Sequence, residues 1–260
     1  MPSETPHKQQ IARAFSQAAA TYDTAAVLQR EVGSRLLAML EARFSDGLRG
    51  KTILDIGAGS GWFGKEMQAR GATVIALDLA EGMLRHTARH RRAAFCLLAD
   101  AERLPLADNS VDACFSSLAV QWCDLSAAAA EMRRVTRNGG TVAAATVVEG
   151  SLHQLGGAWR AADSDAHTNP FLGEAEIRRA FGCFAHTQTE TRTHTQTFAD
   201  LQDLLGSLKN IGANHVGNRE NKGLTGKRRW QRFCAAYEAL RRPDGLLPLD
   251  YRIAYILAGD

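Results

Sequence analysis

No stretch of this chain comes near the roughly 20 consecutive apolar residues that a membrane span needs, and the opening MPSETPHKQQ lacks the apolar centre of a secretory signal. Both absences point to the cytosol. Cysteine is scarce and odd in number: Cys96, Cys114, Cys123, Cys183 and Cys234 are widely scattered, and three fall in apolar stretches where a thiol packs as a small hydrophobe. That argues against a disulfide framework. A formal net charge of only +3 is too weak to announce a nucleic-acid binder, and no repeat or low-complexity segment interrupts the chain.

What remains is an ordinary globular composition. With 45% hydrophobic and 23% charged residues, the 260-residue chain can bury a full interior and stay soluble, which excludes disordered and fibrous classes. One core, 1–260, is the expected organisation, because open α/β domains with insertions often run this long. The small basic excess is uneven. Arg219, Lys222, Lys227, Arg228, Arg229 and Arg232 crowd a short stretch, which favours an acidic partner and equally suits a solvated helix face.

Periodicity divides the chain. Residues 1–46 read as a helical cap, with Ile11, Phe15, Leu36, Leu37 and Leu40 at helical spacing around an interruption at Thr21-Tyr22-Asp23. Over 50–150 short apolar runs alternate with helical stretches. Strands are predicted at Thr52 to Asp55, Thr73 to Leu77, Ala94 to Leu98, Val111 to Leu118 and Thr141 to Val148, with helices at Glu81 to Arg92 and Ser126 to Val135. Arg137-Asn138-Gly139-Gly140 is expected to turn the chain from helix into the fifth strand. This alternation predicts a doubly wound, mostly parallel sheet covered by helices on both faces. Beyond residue 150 come substrate-side helices at Leu152 to Asp163 and Glu174 to Phe181, and an outer strand at Ala185 to Phe198. A helical insertion over 199–248 precedes an antiparallel last strand at Leu249 to Leu257. Trp230, Phe233 and Tyr237 at helical spacing read as the buried face of that insertion.

The chemistry gathers at the end of the first strand, in Leu54-Asp55-Ile56-Gly57-Ala58-Gly59-Ser60-Gly61. Glycines there let the backbone turn sharply and approach a ligand closely, with amide groups at a helix entrance free to bond it. Asp78, ending the second strand, stands where this architecture places an acid that accepts both hydroxyls of an adenosine ribose. Asp100, closing the third strand beside Ala101, would meet the adenine amino group. Leu79, Met83 and Leu118 complete the expected cofactor pocket, because ligands of open α/β sheets lie outside the carboxyl ends of the strands.

Gly59-Ser60-Gly61-Trp62-Phe63-Gly64 also satisfies the dinucleotide fingerprint, so a nicotinamide oxidoreductase is the competing reading. Asp55 argues against it: a carboxylate before the bend repels a pyrophosphate and can hold an amino group. Ser60 lacks flanking glycines two places away, so there is no nucleophile elbow. His86 and His90 are four apart on a helix but sit among Arg85, Arg89, Arg91 and Arg92, which reads as a solvated basic face, and no metal is expected.

With these residues in view, the chain resembles the class I methyltransferases over about residues 50–150. More narrowly it resembles the malonyl-acyl carrier protein O-methyltransferases of biotin synthesis. The narrower likeness rests on Ala14-Phe15 with Ala20-Thr21-Tyr22-Asp23, Leu118-Ala119-Val120-Gln121-Trp122-Cys123, Glu149-Gly150-Ser151-Leu152, Ala158-Trp159, Asn169-Pro170-Phe171-Leu172 and Ser207-Leu208-Lys209-Asn210-Ile211-Gly212-Ala213. One departure is Ala58-Gly59-Ser60, where relatives often carry Cys-Gly-Pro or Cys-Gly-Thr; only the backbone path matters there.

The resemblance implies S-adenosylmethionine as methyl donor. It also implies, as acceptor, the free carboxylate of a malonyl thioester on acyl carrier protein or coenzyme A, with no nucleic acid and no membrane involved. A carboxylate with a reference pKa near roughly 4 is already ionised at neutral pH, so no general base is needed. Alignment and exclusion of water are then the main catalytic terms. Selecting malonyl over uncharged acyl groups requires donors or a cation. Tyr22, Gln121, Trp122 and Lys209 are the candidates, although Trp122 equally suits the core and Lys209 a helix end. Two further alternatives stay open: a methyltransferase for another small acid or oxygen nucleophile, and a non-catalytic module that binds an adenosine ligand.

Overall fold

The computed structural model describes residues 6–19, 21–163, 170–210 and 226–260. Three helices lead, α1 (Pro6–Ala18), α2 (Tyr22–Ala25) and α3 (Val27–Glu41). Strand and helix then alternate through β1 (Thr52–Ile56), α4 (Trp62–Ala69), β2 (Thr73–Asp78), α5 (Glu81–Arg89), β3 (Phe95–Leu98), β4 (Val111–Ser117), α6 (Leu125–Val135) and β5 (Thr136–Val147). After β5 come α7 (His153–Ala162), α8 (Glu174–Ala180), β6 (His186–Phe198), α9 (Leu201–Asn210), α10 (Lys227–Glu238) and β7 (Leu247–Gly259).

The seven strands form one sheet in the order β3-β2-β1-β4-β5-β7-β6. β7 runs antiparallel to both its neighbours, and the remaining pairs are parallel. The doubly wound sheet with an antiparallel last strand is thus as the sequence predicts. Its central strands are apolar because both faces are covered, and successive residues serve opposite cores. Ile53, Val74, Phe115 and Ala143 pack with α3, α7 and α10 on one side. Leu54, Leu77, Cys114 and Val142 pack with α6 and α8 on the other. The chain leaves β1 toward β2 and β3 on one flank and returns to β4 and β5 on the other, which opens a crevice at the carboxyl ends of β1 and β4.

The cap departs from expectation in detail. Tyr22–Ala25 is itself a helical turn, and the chain kinks at Ala26 (φ −81°, ψ 50°) before α3. In α3, Leu28, Val32, Leu36 and Leu40 bury one face at four-residue spacing. α1 lies tight against the start of α5: a Cβ on Gly82 would stand 2.7 Å from the Ser16 carbonyl oxygen. Ser16 Oγ accepts the Gly82 amide at 3.1 Å.

Two further expectations need correction. β5 starts at Thr136, not Thr141, and Arg137–Gly140 bulges out of its pairing with β4, whose partner shifts from Thr136 to Thr141 between Val111 and Ala113. Arg137 fastens that bulge to Asp112 at 2.8 Å. In α10, Phe233 and Tyr237 are fully buried, with Phe233 stacked 4.1 Å from Trp159, whereas Trp230 is 40% exposed. Residues 211–225, including Arg219 and Lys222, lie outside the described residues.

Candidate functional site

Strand pairing brings the acids of β1 and β2 and of the turn after β3 to one edge, because neighbouring parallel strands end together. Between them the backbone bends through Gly57 (φ +68°), Gly59 (φ +56°) and Gly61 (φ +75°), a left-handed path that other residues adopt only at a cost. At Gly57 space forbids a side chain as well, since a Cβ would stand 2.2 Å from that of Ala119. Four amides of the bend are spent internally: those of Gly57 and Ala58 on the Leu77 carbonyl, that of Gly61 on Ala58 and that of Gly59 on Asp78. The expectation of free amides is corrected for Gly57, Ala58, Gly59 and Gly61. What the bend offers is bare backbone surface.

Asp78 accepts the Gly59 amide on Oδ2 and the Ala80 amide on Oδ1, both at 2.8 Å. Burial raises its pKa above the ordinary carboxylate value against the pull of the Ala80, Gly59 and Leu79 amides. Asp55 is in the opposite condition. It is 3% exposed, its Oδ2 has no hydrogen-bond partner, and burial with the nearby Asp78 charge pushes its pKa up to about 8. A buried carboxylate oxygen without a donor is costly, and an ammonium group would satisfy it. Ser117 Oγ, on the wall of the cavity that Asp55 also lines, is likewise buried without a partner.

The third acid carries a feature the sequence did not reveal. Lys8 of α1 places its Nζ 2.6 Å from both Asp100 and Glu102. Burial works to lower the Lys8 pKa, but the two carboxylates hold it above its ordinary value. Cys123 converges on the same acids.

Between Asp78 and Asp100 opens a cleft of about 750 Å³, counting its mouth. Leu79, Ala101 and Leu118 line it as expected, and Ile11 and Phe15 of α1 roof it. Trp122 lies on its wall, edge-on to Phe15 at 6.0 Å. Tyr22 lines both this cleft and a smaller cavity of about 460 Å³ that reaches Asp55, Ala58 and Ser60. Its hydroxyl is held strongly in the protonated form by burial and by the charges of Asp78 and Asp23.

Three other expected residues, Met83, Gly61 and Gln121, sit differently. Met83 is buried with Ala19 and Ala80 behind the wall. Gly61 serves the chain path, with Thr87 and Arg92 filling the space a side chain would take. Gln121 donates to the Leu118 carbonyl at 2.7 Å and accepts from Thr146 at 3.4 Å, so its amide holds the turn below the cleft. The Lys209 side chain lies outside the described residues. His86 is half-buried, with its ring tilted against that of His90 at 4.1 Å, so only part of that helix face is solvated.

The cap is fastened at the other end of the site by Asp23. Its carboxylate accepts from the Ser60 hydroxyl and, at 2.6 Å, from Arg92, which also donates to the Ser60 carbonyl at 3.0 Å. Burial opposes ionisation of Asp23, but these two donors outweigh it and hold the pKa below the usual carboxylate value.

Comparison with known proteins bears on the family and the fold. A methyltransferase-domain family profile matches residues 54–144, which span β1 to β5. The chain is 45% identical over 255 residues to the malonyl-[acyl-carrier protein] O-methyltransferase of Serratia marcescens, covering 97% of this chain and 96% of that protein. It is 43% identical to the Yersinia pestis protein of the same name, covering 95% and 90%. Geranyl diphosphate C-methyltransferase of Streptomyces coelicolor, solved with S-adenosyl-L-homocysteine, superposes with a TM-score of 0.56 at 14% identity over the full length of both chains, a likeness of fold alone. With the relatives matched at this identity across nearly their whole length, the chain belongs to the malonyl-[acyl-carrier protein] O-methyltransferase family.

Proposed function

We propose that this chain transfers the methyl group of S-adenosylmethionine to the free carboxylate of a malonyl group carried on acyl carrier protein, giving a methyl ester. The observation that carries the cofactor half is that Asp78 and Asp100 line one cleft and Asp55 the smaller cavity next to it, the two sharing Tyr22, Gly57, Gly59 and Ser117 as walls. When bound, the cofactor supplies a methyl group activated on a sulfonium. Asp55, whose Oδ2 has no partner, takes the amino group of its tail. Asp78 keeps lone pairs for the ribose hydroxyls, and Asp100 meets the adenine end. Tyr22, Phe15 and Trp122 close the cleft above, exclude water and align the acceptor. The acceptor carboxylate is ionised at neutral pH, so no residue is required to remove a proton.

The acceptor half follows from the family. An acidic carrier suits the exposed Lys227, Arg228 and Arg232 of α10, since complementary charge speeds encounter and fixes register. Arg229 is engaged by Asp163 at 3.2 Å and serves packing. No helix among the described residues is long and apolar enough to cross a membrane, and a carrier-protein reaction suits the cytosol.

Incubation with methyl-labelled S-adenosylmethionine tests the whole reading. A base-labile methyl ester on malonyl carrier protein is the expected product. Label appearing only on malonyl-coenzyme A, or only on other acids, removes the carrier. If the carrier docks on α10, Arg228→Glu with Arg232→Glu raises KM for malonyl carrier protein and leaves that for malonyl-coenzyme A unchanged.

A further inference from the structure

The reaction just described leaves one cation of the site without a role. The smaller cavity that holds the partnerless Asp55 oxygen is also lined by Gln29 and Arg30 of α3, and among the described residues Arg30 is the one cationic side chain on its wall. Arg30 is held in place from two sides. It donates to the Asp23 carbonyl, and its guanidinium lies over the Trp62 ring, 5.2 Å from the centroid. The Asp23 carboxylate, which would otherwise neutralise it, is taken by Ser60 and Arg92. A guanidinium carries five N–H donors in a fixed fork, so most of them remain for an incoming anion.

Building on the methyl-transfer reading, we propose that Arg30 binds the carboxylate of the cofactor's amino-acid tail, so that Asp55 and Arg30 together recognise an α-amino acid zwitterion. The two groups of that zwitterion sit on a single carbon, and, with the Asp23 carboxylate already engaged by Ser60 and Arg92, the cavity supplies Asp55 and Arg30 within about 460 Å³. Arg matches a carboxylate bidentately, and pairing across a half-buried wall makes such bonds stronger than at an open surface. The malonyl carboxylate is the other anion in this reaction. Arg30 shares its cavity with Asp55 and with the bend residues Gly57, Ala58 and Gly59, and this favours the tail.

The test is a comparison of two ligands on the full chain by titration calorimetry. One is S-adenosylhomocysteine. The other is its decarboxylated analogue, 5′-deoxy-5′-(3-aminopropylthio)adenosine, which keeps the amine and lacks only the carboxylate. Wild-type protein is expected to prefer S-adenosylhomocysteine by roughly 10- to 100-fold, the usual value of a charge-assisted bond. Arg30→Gln should remove that preference by weakening S-adenosylhomocysteine alone, and Arg30→Lys should restore part of it.

A ratio of the two affinities is insensitive to a general loosening of the cap, which weakens both ligands alike. An unchanged ratio in Arg30→Gln overturns the assignment, as does a wild-type protein with no preference. If the ratio stays and KM for malonyl carrier protein rises, the assignment is overturned and Arg30 passes to the acceptor. Failure of the wild type to bind either ligand would instead sink the cofactor reading itself.

Discussion

Asparagine in place of Asp55 gives two opposite effects, one on binding and one on stability, and both follow from a single buried group. With its pKa pushed up to about 8, the Asp55 carboxyl of the free protein is ionised in only about one molecule in ten at pH 7. An ammonium tail binds the ionised form, so binding releases about one proton per molecule, and affinity rises with pH until about 8. Between pH 6 and pH 8 the expected gain is about 50-fold, from the ratio of ionised fractions. Asparagine keeps the size but cannot ionise. The pH profile flattens, no proton is released, and affinity at pH 8 falls roughly 10- to 100-fold with the loss of a charge-assisted bond.

Stability moves the other way. Because the folded pKa lies above the ordinary 3.8, the carboxyl favours the fold in its protonated form. That contribution is complete below about pH 4 and is lost as pH climbs toward 8. At about 1.4 kcal/mol per unit, the loss has an upper bound on the order of 5 kcal/mol. Without ligand, Asp55→Asn should therefore melt several degrees above wild type at pH 8, with the gap closing toward pH 4. Titration calorimetry with S-adenosylhomocysteine in two buffers of different ionisation enthalpy counts the protons, and thermal melts supply the rest. Zero proton release by wild type between pH 6 and 8, with equal affinity in both proteins, would refute the reasoning.

Asp78→Ala removes the acceptor for two backbone amides and for the ribose, and a fluorescence titration should show S-adenosylhomocysteine affinity down by about 100-fold. Gly57→Ala combines a left-handed backbone, costing about 1–2 kcal/mol, with overlap against Ala119. Adding Ala119→Gly should recover the overlap and leave the backbone cost, as read by chemical denaturation. Phe233→Ala empties the stack that joins α10 to Trp159. A loss of about 3–5 kcal/mol is expected, seen as a melting point roughly 10 °C lower.

The sheet was readable because each central strand declares itself locally, as in Thr52-Ile53-Leu54-Asp55, where an apolar run stops at an acid and a glycine bend. The start of β5 was not, because the pairing that extends it to Thr136 depends on Arg137 reaching Asp112 of another strand. Asp78, with its place at a strand end, was legible for the same local reason as Asp55. The fastening of the cap was hidden. Lys8 meets Asp100 across 92 positions and Arg92 meets Asp23 across 69, and no periodicity marks such pairs. Gln121 shows the converse. It stands in a family stretch beside the pocket residue Trp122, yet its amide is consumed by Leu118 and Thr146. Leu118 itself adopts φ +53°, a conformation that a leucine does not advertise.

The contact between Gly82 and Ser16 has a consequence for how the roof over the cleft could be pried up. Gly82 sits in the first turn of α5 with ordinary helical geometry, so a methyl group there suits the helix better than hydrogen does. That same methyl would strike the Ser16 backbone, which has nowhere to yield except by lifting α1. A single alanine thus acts as a wedge: it strengthens the strut while holding the roof ajar, which separates the rigidity of the floor from the closure of the site.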